Sequence, residues 1–416
     1  MQKVSAFYYF GRDFVITSLA LIFLAGLAAA ALCKAIKLPR IIGMLLCGIA
    51  AGPFVLNLLN PSILNISADL RQVALIIILI KAGLSLNPAD LKKVGRPAVL
   101  MSFLPALFEI GAVVVFAPLL LPVNPTEAAV MGAVLGAVSP AVVVPRMVEL
   151  MENGYGTDKS IPQLILAGAS LDDVFVIVLF SAFVGMAQGS GVSAKSLGEI
   201  PVSIVLGIGA GALVGLLIAA VFEWAHRRGR SLRQAEKAVL VLGLSFALSA
   251  LETALKGTVP LSGLLAVMSL ALMIELRCRP EVTRDLSQKF GRLWVAAEVV
   301  LFVLVGAAVD IRYTLSAGVN AILLILAALV FRSVGVLLCL IGTPLNKKER
   351  VYCVIAYLPK ATVQAAIGSV PLSLGLPCGN IVLSVAVLSI LITAPLGALG
   401  MDASYRSLLN KATNVP

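Results

Sequence analysis

Apolar residues in this chain gather in long continuous runs; they neither alternate with polar residues nor keep to one helical face. Runs of about 20 residues recur from end to end, each long enough to cross a bilayer as a helix. Thirteen spans are predicted, at about 14–33, 41–57, 70–87, 97–121, 126–150, 161–187, 200–224, 237–255, 260–276, 292–310, 317–341, 349–373 and 380–400. The first is too long and too continuous for a cleavable signal peptide. The linkers are short, so residues 1–416 read as a single all-α polytopic membrane unit with no appended soluble domain.

Two of the spans look broken. Residues 132–147 read GAVLGAVSPAVVVPRM, with Pro140 and Pro145; residues 355–371 read IAYLPKATVQAAIGSVP, with Pro359 and then Gly368. Proline removes a helix hydrogen bond, and in hydrocarbon the freed carbonyls must find another donor. Each broken span is the fourth of a five-helix block, spans 2–6 (about 41–187) and spans 9–13 (about 260–400). A shift of seven spans is odd, so the two blocks run through the membrane in opposite directions. That is the pattern of an inverted-repeat transporter, with its site at the midplane between two crossed discontinuous helices.

Composition agrees with a membrane protein. The chain is 60% hydrophobic, 13% charged and has a mean hydropathy of +1.04, against about 25% charged residues in soluble domains. A net charge of +11 could suggest a nucleic-acid partner, but the positive-inside bias explains it, and no nucleic acid is expected. The loops after the odd-numbered spans, with the C-terminus, hold 23 Lys and Arg; the N-terminus and the other loops hold five, Lys3, Arg12, Lys195, Lys256 and Arg312. This places the N-terminus outside and the C-terminus in the cytoplasm, and the expected location is a bacterial inner membrane. Cys33, Cys47, Cys278, Cys339, Cys353 and Cys378 form no CxxC pair and read as small hydrophobes. His226, the one histidine, sits in a basic stretch, so no histidine metal site and no cofactor are expected.

Six ionisable residues fall deep within spans: Glu109, Asp172, Asp173, Glu298, Arg332 and Lys360. Such residues face the interior or a water-filled cavity and read first as functional. Arg71 and Lys81 lie towards span ends, where snorkelling suffices. Glu109 and Arg332 each sit near the centre of the third helix of their block, which suggests an ion pair joining the repeats, either structural or gating. Lys360 follows Pro359 at the break, where it can neutralise carbonyl ends carrying partial negative charge. Glu298 reads as a satisfied polar contact or as part of a proton path.

The stretch AGASLDDVFVIVLF, residues 167–180, holds two adjacent carboxylates. Neighbouring helix positions point about 100° apart, so Asp172 and Asp173 have different roles: one faces the ion cavity and the other reaches a base such as Arg332 or Lys360. Burial and like charge both favour the protonated carboxyl, so the pair is expected to hold a proton near neutral pH and to titrate as a unit. A small hard cation, Na⁺ or Li⁺, needs the same oxygens deprotonated, and the competition gives exchange. Carbonyls of Ala137 and Val138 and the Ser139 hydroxyl are expected to complete the shell. A sodium-coupled symporter of an organic anion is the alternative, but few mid-span Asn, Gln or aromatic residues are available to line its solute site. An intramembrane aspartyl protease needs its carboxylates on different helices, not adjacent in SLDDV.

Three stretches carry a resemblance: LPRIIGMLLCGIAAGP at 38–53, AVSPAVVVPRMVELMENGYGTDKSIPQLILAGASLDDV at 137–174 and AYLPKATVQAAIGSV at 356–370. They resemble the monovalent cation:proton antiporter superfamily, and within it the NHA-type sodium/proton exchanger branch, over most of spans 2–6 and 10–12. The resemblance implies the sodium/proton antiporter fold, a homodimer, a six-helix core and elevator-like movement. The dimerisation region would include about 14–57 and 200–276. It also implies that Asp172 and Asp173 carry cation and proton, that Glu109 and Arg332 are the family's Glu–Arg pair, and that Pro140, Pro359 and Lys360 mark the crossover. Electrogenic relatives place a lysine beside the aspartates; the base in that region is Arg332, which does not deprotonate in a protein.

Overall fold

The computed structural model describes residues 15–36, 38–85, 95–189, 194–228, 233–255, 259 and 261–411. Lys3, Arg12, Lys37, Lys92, Lys93, Arg230 and Lys256 of the charge count lie outside that set, as do positions 14, 86, 87 and 260, where spans were expected to begin or end. Regular structure among the described residues is helical, with one isolated bridge between Tyr155 and Lys411. A helical segment lies at each expected span, and nine candidate spans among the described residues are long and apolar enough to cross a membrane.

Several boundaries differ from expectation for local reasons. The second span ends early, as helix Arg40–Ala51, because Gly52 takes an extended conformation and Pro53 follows it. The chain then folds back on that helix end, with Leu56 N–H donating to Ala50 O at 3.1 Å and Leu58 N–H to Ala51 O at 3.0 Å. The fourth span is two helices, Arg96–Met101 and Leu104–Leu120: Pro105 has no N–H to donate to Met101 O in a continuous helix, and Phe103 leaves helical geometry at φ −142°. The tenth begins well before residue 292, as helix Pro280–Ala307.

The two broken spans start alike. Asn124 caps Pro125–Leu135 and Asn346 caps Lys347–Ala356, each in a reciprocal capping box with the glutamate three residues on, Glu127 and Glu349. Both half-helices stop after about three turns. The first resumes at Pro140–Glu152 and the second at Thr362–Gly368. The breaks meet: Ser139 N–H donates to Pro359 O at 2.8 Å. The last helix, Gly379–Leu408, supports the crossing through Gly397, where a Cβ would lie 2.3 Å from the Pro359 ring.

The chain divides into two compact units. One comprises the described parts of Met1–Arg71, Pro88–Val176 and Val299–Pro416, and holds both broken spans. Within it, helix Val15–Ala35 packs on Arg40–Ala51 where Gly43 meets backbone; a Cβ there would fall 2.2 Å from Ala29 O. Arg71 also belongs here and is only 5% exposed, with Nη2 on Ser373 Oγ at 3.4 Å, so it is buried in protein and does not snorkel to water. The other unit comprises the described parts of Gln72–Asn87 and Ile177–Glu298. Its central contact joins helices Ala194–Arg227 and Gly263–Arg277 along Gly207, Gly211 and Gly215, spaced four apart. A Cβ on Gly211 would lie 2.0 Å from Ala266 O. Lipid-embedded helices gain no hydrophobic driving force from each other, so close backbone approach at small residues does the packing.

Candidate functional site

The site is built where the two breaks cross, against helices Leu104–Leu120, Ile161–Gln188 and Ile311–Cys339. A helix interrupted in mid-membrane leaves carbonyls at one end and N–H groups at the other with no intrahelical partner. In the first broken span these are the groups around Leu135–Ser139, and side chains from four other segments satisfy them.

Arg332 is the hub and is fully buried. Its Nε donates to Tyr357 O at 2.7 Å, Nη1 to Glu109 Oε2 at 2.7 Å and to Gly136 O, and Nη2 to Asp172 Oδ2 at 2.9 Å. The guanidinium carbon lies 5.5 Å from the Tyr357 ring centroid, within cation–π range. Lys360 Nζ donates to the same Glu109 oxygen at 2.5 Å and to Leu135 O at 2.6 Å. Its backbone N–H donates to Thr393 Oγ1 at 2.9 Å. The expected Glu109–Arg332 pair is therefore present. Arg332 also pairs with Asp172, so the two pairings are simultaneous. Lys360 sits on the carbonyl end of Pro125–Leu135 and shares Glu109, a contact the helix positions alone did not suggest.

The two aspartates differ as their spacing implies. Asp172 Oδ2 accepts from Arg332 and from Val138 N–H, the latter at 2.7 Å. Asp173 makes no ion pair with a described Lys or Arg, and its Oδ1 has no hydrogen-bond partner. Asp172 Oδ1 and Ser139 Oγ are likewise buried and without a partner. Two cations, Arg332 and Lys360, thus face two directly paired carboxylates, Glu109 and Asp172. The charge of Asp173 is left over. A buried charge without a partner is costly.

At the expected carbonyl ligands, Ala137 O accepts from Gln364 Nε2 at 2.7 Å, and the N–H of Val138, not its carbonyl, is the group that meets Asp172. Pro140 opens the second half-helix as expected, and Pro359 supplies the carbonyl at the crossing. Glu298 is buried at 2% exposure and belongs to the other unit. Gln364, Thr393 and Tyr357 are the contributors that residue type and span position did not single out. For Gln364 a signal existed: it is a long amide deep in an apolar span, three residues after the break.

A family model described as sodium/hydrogen exchanger, transmembrane, matches residues 19–401. The sodium/hydrogen exchanger 9B2 of Mus musculus is 33% identical over 377 residues, covering 87% of this chain and 67% of the relative. The Homo sapiens protein of the same name is 33% identical over 384 residues, covering 90% of this chain and 70% of the relative. The chain thus spans about two thirds of these relatives' length. Among solved structures, the sodium proton antiporter MjNhaP1 from Methanocaldococcus jannaschii at pH 8 superposes with a TM-score of 0.78 at 22% identity. That match covers 95% of this chain and 98% of the other, so the two share a fold.

Proposed function

We propose, because this chain belongs to the sodium/hydrogen exchanger family, that it is a secondary active antiporter exchanging Na⁺ or Li⁺ for H⁺. The observation that carries the reading is the charge count at the crossing: among the described residues Arg332 and Lys360 pair with Glu109 and Asp172, and Asp173 is left without a direct ion pair to a described Lys or Arg. Asp173 is the residue that alternates between proton and cation. Asp172, anchored by Arg332 and Val138 N–H, offers its second oxygen as co-ligand, and the unpartnered Ser139 hydroxyl completes an oxygen set suited to a hard monovalent cation. Ala137 and Val138 frame this set from the break. Because one carboxylate serves both ions, they bind one at a time; with access alternating by an elevator-like movement, the gradient of one drives the other.

The chain works as a homodimer in the bilayer, through a region that includes about 14–57 and 200–276. The loop charges support an orientation with the N-terminus outside and the C-terminus in the cytoplasm. The matching Asn-x-x-Glu caps on the two broken spans support repeats at about 41–187 and 260–400.

The test is transport by purified protein in proteoliposomes, with internal pH followed during Na⁺ or Li⁺ pulses and the membrane potential clamped or free. Wild type is expected to move protons against either cation. Asp173→Asn is expected to abolish exchange, because an amide cannot cycle between proton and cation, and Asp172→Asn to impair it severely. Near-normal Na⁺-driven exchange by both single variants would refute the assignment.

A further inference from the structure

We propose that Gln364 is a positioning residue for the ion-binding aspartates, acting through the single peptide unit between Ala137 and Val138. The inference rests on the antiport reading above and adds the residue that couples the second broken helix to the first.

The helix that resumes after the second break starts at Thr362, and its N-cap is Ala361, which has no side-chain oxygen to accept the exposed N–H groups. In an apolar interior those donors need partners. Gln364, three residues on, supplies one: its Oε1 accepts from Ala361 N–H at 2.8 Å. That bond fixes which way the amide faces. With Oε1 turned to Ala361, Nε2 must point across the crossing, and it donates to Ala137 O at 2.7 Å, with a longer reach of 3.4 Å to Leu135 O. Gln364 is fully buried, so no water competes for either end.

The Ala137 carbonyl and the Val138 N–H belong to one planar peptide, and turning one turns the other. The Val138 N–H donates to Asp172 Oδ2 at 2.7 Å. Three hydrogen bonds therefore run in one direction, from Ala361 N–H to Gln364, from Gln364 to Ala137 O, and from Val138 N–H to Asp172. Each polarises the next. Gln364 touches neither aspartate, yet the aim and strength of one of the two donors to Asp172 depend on it. The other charged and titratable groups around Asp172 are Asp173 on its own helix, Arg332 and Tyr357 in contact with each other, Cys339 on the helix of Arg332, and Glu109 and Lys360 beyond Arg332. None of these touches the Ala137–Val138 peptide N–H.

Gln364→Met keeps the length of the side chain and removes both ends of the relay. A hydrogen bond to the charged form of a carboxylate favours that form. Its loss leaves the ionised Asp172 less well held, and a higher pH is needed to free the pair of its proton. Expected in proteoliposomes is an alkaline displacement of the half-maximal pH by about 0.3–1 unit, with Na⁺ affinity at fixed pH falling about 2–10-fold, the range of one net hydrogen bond. A residue that only packed the crossing would lower the melting temperature or the maximal rate and leave the pH profile in place; that result overturns the proposal. If Gln364→Met does not yield folded protein, Gln364→Leu likewise removes the acceptor for Ala361 and the donor to Ala137 without adding a charge. It is expected to move the profile in the same direction, and an unmoved profile in that variant overturns the proposal equally. Wild type that exchanges no cation for protons refutes the antiport reading, and this inference with it; wild type that exchanges normally beside a variant with an unmoved profile refutes this inference alone.

Discussion

Glu109 and Arg332 lie 223 residues apart and meet at 2.7 Å with neither side chain more than 2% exposed. Removing one partner of a buried pair leaves an uncompensated charge and costs about 3–5 kcal/mol, whereas removing both can be near neutral. Glu109→Ala takes a carboxylate from two cations but strands one: Arg332 keeps Asp172, whereas Lys360 keeps only the Leu135 carbonyl. Arg332→Ala leaves Glu109 with Lys360, but deprives Asp172 of its ion pair and leaves the Tyr357 and Gly136 carbonyls without that donor. Each buried acceptor left unmet adds about 1–3 kcal/mol. Arg332→Ala is therefore expected to be the more damaging single variant. The double variant retains one cation, Lys360, and one partnerless anion, Asp172, and is electrically balanced. It is expected to recover about 0.5–3 kcal/mol relative to the sum of the singles, the usual coupling between contacting residues. One kcal/mol shifts Tm by about 2–4 °C in domains of 150–250 residues, and by less in a longer chain. Thermal unfolding in detergent is thus expected to show drops of several degrees in the singles and partial recovery in the double. Simple additivity, or a milder Arg332→Ala than Glu109→Ala, would refute the shared-carboxylate account.

Four further outcomes follow from the structure. Na⁺ affinity, measured by calorimetry or thermal shift at several pH values, is expected to fall as pH drops, because protons claim the oxygens the cation needs; affinity flat between about pH 5 and 9 would exclude competition. Gly211→Leu is expected to cost at least the 1–3 kcal/mol typical of overpacking, roughly, because the obstructing atom is the backbone oxygen of Ala266. Gly209→Ala, with nothing within 4 Å of its Cβ position, should leave Tm and monodispersity in detergent unchanged. The Arg146–Asp402 pair is bidentate at 2.8 and 2.9 Å but its side chains are 21% and 49% exposed. Arg146→Ala should accordingly cost no more than about 1 kcal/mol, and a loss as large as that of Arg332→Ala would contradict the ranking by burial.

Much of this architecture was legible from local physics. An apolar run long enough to span a bilayer has few other folds open to it, so helices lie where the runs lie. Pro140 and Pro359 cannot be accommodated in an unbroken helix without donors from elsewhere, so the breaks were legible too. A carboxylate or guanidinium in mid-span needs a partner, which singled out Asp172, Asp173, Glu109, Arg332 and Lys360. What tertiary structure decided is which atom meets which. Hydropathy has no direction finer than a helical face, whereas a hydrogen bond holds only within about 3.2 Å and a narrow angle. Whether Arg332 served Glu109 or Asp172 depended on the register and rotation of helices far apart in the chain, and the fork of its guanidinium allowed both. The same register buried Arg71, placed Lys360 on Glu109, and set Gln364 against the Ala137 carbonyl. The end of the second span at Ala51 turned on a single Gly-Pro step that a hydropathy window averages away. Asp173 was one of two equivalent letters in the sequence; the packing around its neighbour left it, among the described carboxylates at the crossing, without a direct ion pair.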